Sequence, residues 1–578
     1  MDKKLILNLI HKPDGSKYAR IQLDTAHRLG LRCTNLMMIF ALYDDAIIET
    51  VKQAHQEYGD EVGMLFLGLE CEAVKKLVGH NEFSFWLYPW EERKKIIDLA
   101  FARFHEIFSF YPVSTGCYYM DAQSLEYIKS KYPTVEIAIA TCFEEGVNTL
   151  HGCNNTWYLF SEGGPWFPWI PSKANVHCPA RNKEEDLGVV AIPHLIRDLM
   201  LSVSGRHDFF ATHPQNIMRG MVNEGLDYPY MYNMADELTE QATWNDGYSY
   251  CMVKVSPGWM RHNGCYEQSE EVLTQSYIDY LEYFAQQKAA GVVLDMQMGE
   301  FARWYREHKT YATPTIGLWR DLLYGSEKHV FWYVDPNYRL VIDPHQGGAI
   351  IDLRAYSSRL DCSVGSDTKK LWYASYPYLI QTNLRGGYFT HSGKGTMFSC
   401  KLAYKSEVVD LCTCRTRASY DPANRTLTLA PVDIRLADLV ITFQTRYVFT
   451  PEGNIYVERE ILNASDEKAV VEVTETLDGC YGITEYPEDL RGVTLQALKD
   501  GAVNQEITFA YKSAQASVPG AEAVQAIIPQ INTTLSLTPQ YPAKAGLIAE
   551  GHMFSPVFTL GVSKDLKKGE VMRTCLKA

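Results

Sequence analysis

Along roughly the first 320 residues, short apolar runs alternate with stretches whose apolar residues recur at helical spacing, the pattern of parallel strands covered by helices. Leu5–Ile10, Asn35–Leu42, Val62–Leu69, Val135–Ala140, Val189–Ile192, Cys251–Val255 and Val292–Leu294 read as strands. Between them, Glu91–Phe108 sets Ile96, Ile97, Ala100, Phe101, Phe104 and Phe108 on one stripe, and Ser269–Ala290 does the same with Leu273, Tyr277, Leu281 and Phe284. Ser269 is placed to cap the second helix, Glu270 and Glu271 suit its dipole, and Gly291 ends it. Roughly seven or eight such units predict an N-terminal (β/α)7–8 barrel.

Around Trp319–Val330 the period changes. From Phe331 onward strands alternate with turn signals such as Asp335-Pro336-Asn337, Gly347-Gly348, Asp421-Pro422-Ala423-Asn424 and Pro451-Glu452-Gly453-Asn454. About 245 residues of such strands exceed the roughly 100 of an immunoglobulin-sized domain and predict a large β-sandwich. The expected architecture is therefore α/β plus all-β, with residues 1–325 as a catalytic barrel and 326–578 as the sandwich.

Composition narrows the partners. Aromatic residues make up 12% of the chain, which leans toward ligands with flat faces such as sugars, although large cores also hold many aromatics. The net charge is −15 and no basic run occurs, so nucleic acid is not an expected partner. The first apolar stretch is short and broken by Asn8, and no run of 18 apolar residues follows, so a membrane partner is not expected and the chain reads as cytoplasmic unless a leader was trimmed. The 14 cysteines show no framework, which predicts reduced, buried thiols; Cys412-x-Cys414 has the wrong spacing for a zinc knuckle. Oligomeric state is left open.

Acids at the carboxyl ends of strands carry the most chemical information, because parallel barrels build their sites there. Asp44, Asp45, Glu70, Asp121, Glu144, Glu145 and Asp295 fall in such places; capping of the next helix is an equal reading for Asp44, Asp45 and Glu144. Glu70, Asp121 and Asp295 have apolar neighbours that would tune their carboxyl groups. The histidines His151, His177, His194, His207, His213 and His262 are scattered, no H-x-x-x-H or H-E-x-x-H occurs, and neither a metal nor another cofactor is expected. A G-x-S-x-G elbow is also missing. Trp157, Trp166 and Trp169 sit among prolines in one long loop, where they either stack on a sugar or pack on the barrel rim.

Four segments, in order, resemble those of glycoside hydrolase family 57 and its relatives in family 38 and the polysaccharide deacetylases. They are His11-Lys12-Pro13, Gly59–Gly63 leading to Glu70, Pro112–Tyr127 with Tyr118-Tyr119-Met120-Asp121, and Leu294–Tyr305 with Asp295. The departures are Asp121 where that family has Glu, Lys12 in place of Gln, and the missing deacetylase metal motif. Tyr338–Pro344 with Gly347-Gly348, Thr445-Arg446-Tyr447 and Val457-Glu458-Arg459 resemble galactose-mutarotase-like sandwiches.

The resemblance implies a glycoside hydrolase or transglycosidase with a carbohydrate substrate. In that reading Asp121 attacks the anomeric carbon or activates water, Asp295 protonates the leaving oxygen, and Glu145 is the reserve nucleophile. Glu70 accompanies them, and His11, Asp236 and Glu237 contact sugar hydroxyls. The alternatives are a metal-dependent deacetylase, a glycan-binding protein without turnover, and a sugar isomerase or epimerase.

Overall fold

The computed structural model describes residues 2–578 apart from 83, 142–163, 195, 204–227, 262–267, 361–375, 377, 383–395, 481–491, 509–513 and 551–556. The N-terminal region alternates strands and helices: β1 (Lys4–His11), α1 (Lys17–Arg28), β2 (Cys33–Met38), α2 (Asp45–Tyr58), β3 (Glu61–Leu65), α3 (Glu72–Val78), α4 (Trp90–Phe108) and β4 (Ser114–Gly116). These are followed by α5 (Ala122–Lys131), β5 (Ile137–Thr141), β6 (Val190–Pro193), α6 (Tyr228–Glu240), β7 (Tyr248–Val253), α7 (Glu270–Ala289), β8 (Val293–Asp295) and α8 (Met298–His308). The expected caps hold for α7, where Ser269 accepts from the Val272 N–H, and for α2, where the Asp44 carboxylate accepts from Ala46 and Ile47.

The expected barrel is a partly open array. One parallel sheet runs β3-β2-β1-β7, with β8 also on β1, and a second runs β4-β5-β6. A bond from Phe66 N–H to Gly116 O links them beyond β3. Among the described residues no ladder joins β6 to β7. β8 pairs with Leu5–Leu7, the lower half of the β1 edge whose upper half, Leu9–His11, pairs with β2. It therefore stands beneath β2 instead of adding a strand to a ring.

Helix α8 closes the amino-terminal end of these strands. The Met298 N–H donates to Thr34 Oγ1 at 3.0 Å, Gly299 N–H to Glu61 at 2.7 Å, Arg303 to Glu136 at 2.6 Å, and Arg306 to Asp186 at 2.8 Å. Each partner stands at or just before the start of β2, β3, β5 or β6. A Cβ on Gly299 would lie 2.6 Å from Val113, so only glycine allows this approach.

The C-terminal region consists of an 11-stranded and a 10-stranded antiparallel sheet that share one apolar core, a large sandwich. Its first strands are β9 (Thr315–Arg320), β10 (His329–Val334), β11 (Arg339–Asp343) and β12 (Ala349–Arg354). β10, β11 and β12 are buried on both faces. Phe331, Tyr333, Leu340 and Ile342 enter the sandwich core, while Val330, Trp332, Val334 and Val341 enter the N-terminal core. β9 is the edge of its sheet, and its outer backbone groups find side chains instead of a strand. Asn245 bonds Ile316 (2.8 and 3.0 Å), Gln241 bonds Leu318 (2.8 and 3.3 Å), and Glu237 accepts from the Arg320 N–H at 3.2 Å. On the other side of the gap, Trp169 pairs with Ala191 of β6, and Trp166 packs on Trp332 of β10 at 4.8 Å. The sandwich thus lies against the opening between β6 and β7.

The described cysteines are all free of disulfides, and Cys33, Cys117, Cys178, Cys251 and Cys400 are buried. No described helix is long and apolar enough to cross a membrane.

A polar layer is sealed where the two regions meet. Asp352 accepts from Arg339 at 3.1 Å and from Arg354 at 3.3 Å, Arg339 also donates to Gly164 O, and Arg354 donates to Tyr376 O. His177 lies beside these guanidinium groups, and burial, reinforced by their charge, pushes its pKa down to about 3. The sign follows directly: the fold holds His177 neutral, whereas the unfolded chain takes a proton below its ordinary value, so stability is complete above pH 6.5 and is lost as pH falls toward the folded value. Urea unfolding at pH 7 and 4.5 should show the wild type losing about 2–3 kcal/mol more than His177→Gln over that interval. Equal losses in the two proteins would refute this role.

Candidate active site

Strand polarity sends the carboxyl ends of β1, β4, β6 and β7 toward one end of the α/β region, opposite α8. Three of these ends meet through side chains. Lys254, one residue past β7, places its Nζ against Nε2 of His194, one residue past β6. The His194 ring meets Tyr118, just past β4, edge to face at 4.2 Å, and the Lys254 ammonium lies 5.6 Å from the centre of the same tyrosine ring. This cluster bridges the two sheets at the end where no ladder joins them.

Lys254 and His194 are buried, whereas Tyr118 is half-buried. An ammonium can donate to an imidazole nitrogen only if the ring is neutral, so the pair holds one movable proton between two bases. Lys12, which follows β1, is also buried, and that burial pulls its pKa down to about 8 against the opposing influence of Asp14. The His194 N–H bonds the Thr141 carbonyl, so the chain leaving β5 starts beside the cluster. Behind it, Asp198 accepts from the Tyr230 hydroxyl at 2.6 Å and from the Met200 N–H at 2.8 Å. Chemically, the mouth offers a proton relay, a positive charge for a developing oxyanion and a partly open ring face.

The acids expected to act here are elsewhere or engaged. Asp121 is the N-cap of α5: one oxygen accepts from Ser124 N–H at 2.8 Å and the other from buried Arg93 at 2.5 Å. Its setting is that of a helix cap and a buried ion pair, not of a nucleophile. Asp295 ends β8, and the offset of that strand puts it low in the sheet, where its carboxylate accepts from Arg32 N–H at 2.9 Å and Lys288 at 2.8 Å. The two expected partners therefore do not share a cleft. Glu70 is exposed in the loop before α3. Glu145 and Trp157 lie outside the described residues.

The expected sugar contacts are also redistributed. His11 faces the helices that cover the sheet, bonded to Tyr277 of α7 at 2.9 Å, and burial lowers its pKa to about 4. Trp166 and Trp169 are buried at the junction, the latter donating to Val176 O at 2.8 Å, so the rim-packing reading applies to both. Asp236 is exposed and accepts from Tyr283. Glu237 is buried against Arg320 at 2.8 Å and serves the β9 edge.

Lys254 and Tyr118 were passed over in the sequence because each sits inside or beside an apolar run, and His194 was one of several scattered histidines. The available signal was a polar residue closing a strand-like segment, as in Val190–His194 and Cys251–Lys254.

The family described as "Domain of Unknown Function with solved-structure structure" (DUF3863) matches residues 33–311. No curated protein matches the chain. Among solved structures, the chain is similar to a candidate glycoside hydrolase/deacetylase from Parabacteroides distasonis, with 16% identity and a TM-score of 0.47 over 63% of this chain and 88% of that one. It is also similar to 4-alpha-glucanotransferase from Thermococcus litoralis, with 7% identity and a TM-score of 0.29 over 100% of both chains. A galactose mutarotase-like protein from Clostridium acetobutylicum matches with 9% identity and a TM-score of 0.27, over 44% of this chain and 95% of that one.

The environment of Asp121 has a measurable consequence. Asp121→Ala removes the partner of a buried guanidinium and a helix cap together, and should lower the unfolding free energy by about 3–5 kcal/mol in urea titrations. A change under about 1 kcal/mol would contradict the structural role.

Proposed function

We propose that the chain is a carbohydrate-processing enzyme, a glycoside hydrolase or transglycosidase, whose reaction takes place at the mouth formed by Tyr118, His194 and Lys254. The observation that carries this reading is the contact between Lys254 and His194, which brings two bases from different strands to the carboxyl ends of the parallel array. The resemblance of the four N-terminal segments and of the sandwich to sugar enzymes supports the substrate class; the strand ends support the location.

In this mechanism the half-buried Tyr118 ring offers a face to the sugar. As Glu145 bonds to the anomeric carbon and the glycosidic bond breaks, the Lys254 ammonium gives a proton to the leaving oxygen; His194, neutral beside it, then takes a proton from the incoming water or hydroxyl and returns it to Lys254. Glu145, the reserve nucleophile that the resemblance implies, is the carboxylate assigned to the anomeric carbon. A deacetylase would instead release acetate in a metal-dependent reaction.

A panel of nitrophenyl glycosides and natural oligosaccharides, assayed for new reducing ends and for acetate, tests the reading. On the substrate that is turned over, Lys254→Met, His194→Gln and Glu145→Gln should each lower kcat by about 100-fold or more, with melting curves confirming that the variants fold. Wild-type kcat in both Lys254→Met and His194→Gln would overturn the site, and acetate release without reducing ends would overturn the reaction.

A further inference from the structure

On the face of the sheet opposite the mouth's interior, α1, β2 and the turn before β3 bring a second set of polar side chains together. His27 of α1, Cys33 at the start of β2 and Asp60 just before β3 place one ligand atom each within 4.8 Å of the other two. His27 Nε2 is 3.0 Å from Asp60 Oδ2. Tetrahedral zinc, with bonds of about 2.0–2.3 Å to nitrogen, oxygen and sulfur, has ligand-to-ligand edges of roughly 3.3–3.7 Å, so only small side-chain adjustments separate this group from a ligand set.

The surroundings have the features of a metal site. Asn35 donates to Asp60 Oδ2 at 2.8 Å, and His55 Nδ1–H donates to the Asp60 carbonyl at 2.7 Å, which fixes the carboxylate and its backbone. The His27 ring is stacked on Tyr58 with centroids 3.7 Å apart, which sets its plane. His11 and Asn35, from paired positions on β1 and β2, hydrogen-bond each other beside Asp60, and His11 is only 2% exposed. A groove between α1 and α2, lined by Arg20, Asp24, His27, Gln53, Glu57 and Tyr58, opens beside His27; in it Asp24 pairs with Arg20 at 3.4 Å and Glu57 accepts from Gln53 at 3.0 Å.

We propose that His27, Cys33 and Asp60 bind a structural zinc ion that ties α1 to β2 and to the start of β3. Binding releases the Cys33 thiol proton to solvent and replaces the His27–Asp60 hydrogen bond with two bonds to the metal; the proton that His27 Nε2 donates to Asp60 shifts to Nδ1, so His27 ligates as a neutral imidazole through Nε2. The thiolate and the carboxylate together balance the two positive charges, so the buried centre is neutral. The fourth position belongs to water. The site lies outside the mouth and does not depend on the carbohydrate reading.

The test uses the full chain stripped with a chelator and then loaded with one equivalent of zinc or cobalt(II). Zinc should remain at about one ion per chain after gel filtration and raise the melting midpoint by about 3 °C or more. Cobalt should give tetrahedral visible bands and a thiolate charge-transfer absorption in the wild type, the latter lost in Cys33→Ala and the former weakened in Asp60→Asn. Failure of the wild type to retain either metal, a cobalt spectrum without thiolate character, or an unchanged charge-transfer band in Cys33→Ala would each overturn the proposal. The wild-type spectra decide the matter even if a variant fails to fold.

Discussion

The arrangement of this protein depends on how one strand edge is satisfied. β9 opens the sandwich with its outer N–H and C=O groups unpaired by any strand, and such groups are expensive when buried. Glu237, Gln241 and Asn245 meet that need at residues 320, 318 and 316. From Glu237 to Gln241, four residues at the end of α6 advance about 6 Å, the 3-10 turn Gln241–Trp244 then carries the chain on by about 8 Å to Asn245, and each pair of strand residues advances about 6.8 Å, so these side chains keep pace with alternate strand positions. The match sets the sandwich against the N-terminal region, and the two-faced burial of β10 and β11 then leaves no freedom of register, because a slip of one residue would exchange Trp332 and Phe331 between the two cores.

From that docking the rest of the candidate site follows. The parallel array does not close by backbone pairing between β6 and β7; the sandwich and the Trp166–Ile170 segment fill one level of the gap, and the Lys254–His194 contact spans it at the mouth. Charge is placed with the same economy: Arg339 and Arg354 share Asp352 in the sealed layer, Arg93 holds Asp121 under α5, and Lys12 after β1 is kept where burial makes proton release easier. The carboxylates that a sugar enzyme would be expected to use are, at Asp121 and Asp295, spent on holding helices and strand ends.

Much of the fold was legible because its causes are local. The alternation from Leu439 to Phe449 appears as alternating burial along a strand, and the Ser269 cap and the apolar stripe of Glu91–Phe108 stand as read. The chemistry was less legible, since its causes are not local. An aspartate before a helix carries the same sequence signal whether it caps or attacks, and only the distant Arg93 separates the two at Asp121. The offset that lowers Asp295 is set by where β8 meets β1, and nothing in Val292–Asp295 encodes it. The tryptophans of the 164–170 segment left sugar stacking and rim packing equally open in the sequence because their cover, Trp332 and β6, lies far away in sequence or depends on strand pairing. His194 and Lys254 are 60 residues apart, and both strand registers are needed to see them meet.

The most direct test of the central claim is a crystal structure of the protein with an oligosaccharide soaked into the Glu145→Gln variant. The account predicts a sugar ring over Tyr118 with its glycosidic oxygen within hydrogen-bond distance of His194 or Lys254. A glycan bound only on the sandwich, or in the aromatic groove formed by Tyr248, Phe301 and Trp304 at the opposite end, with the mouth left empty, would contradict it.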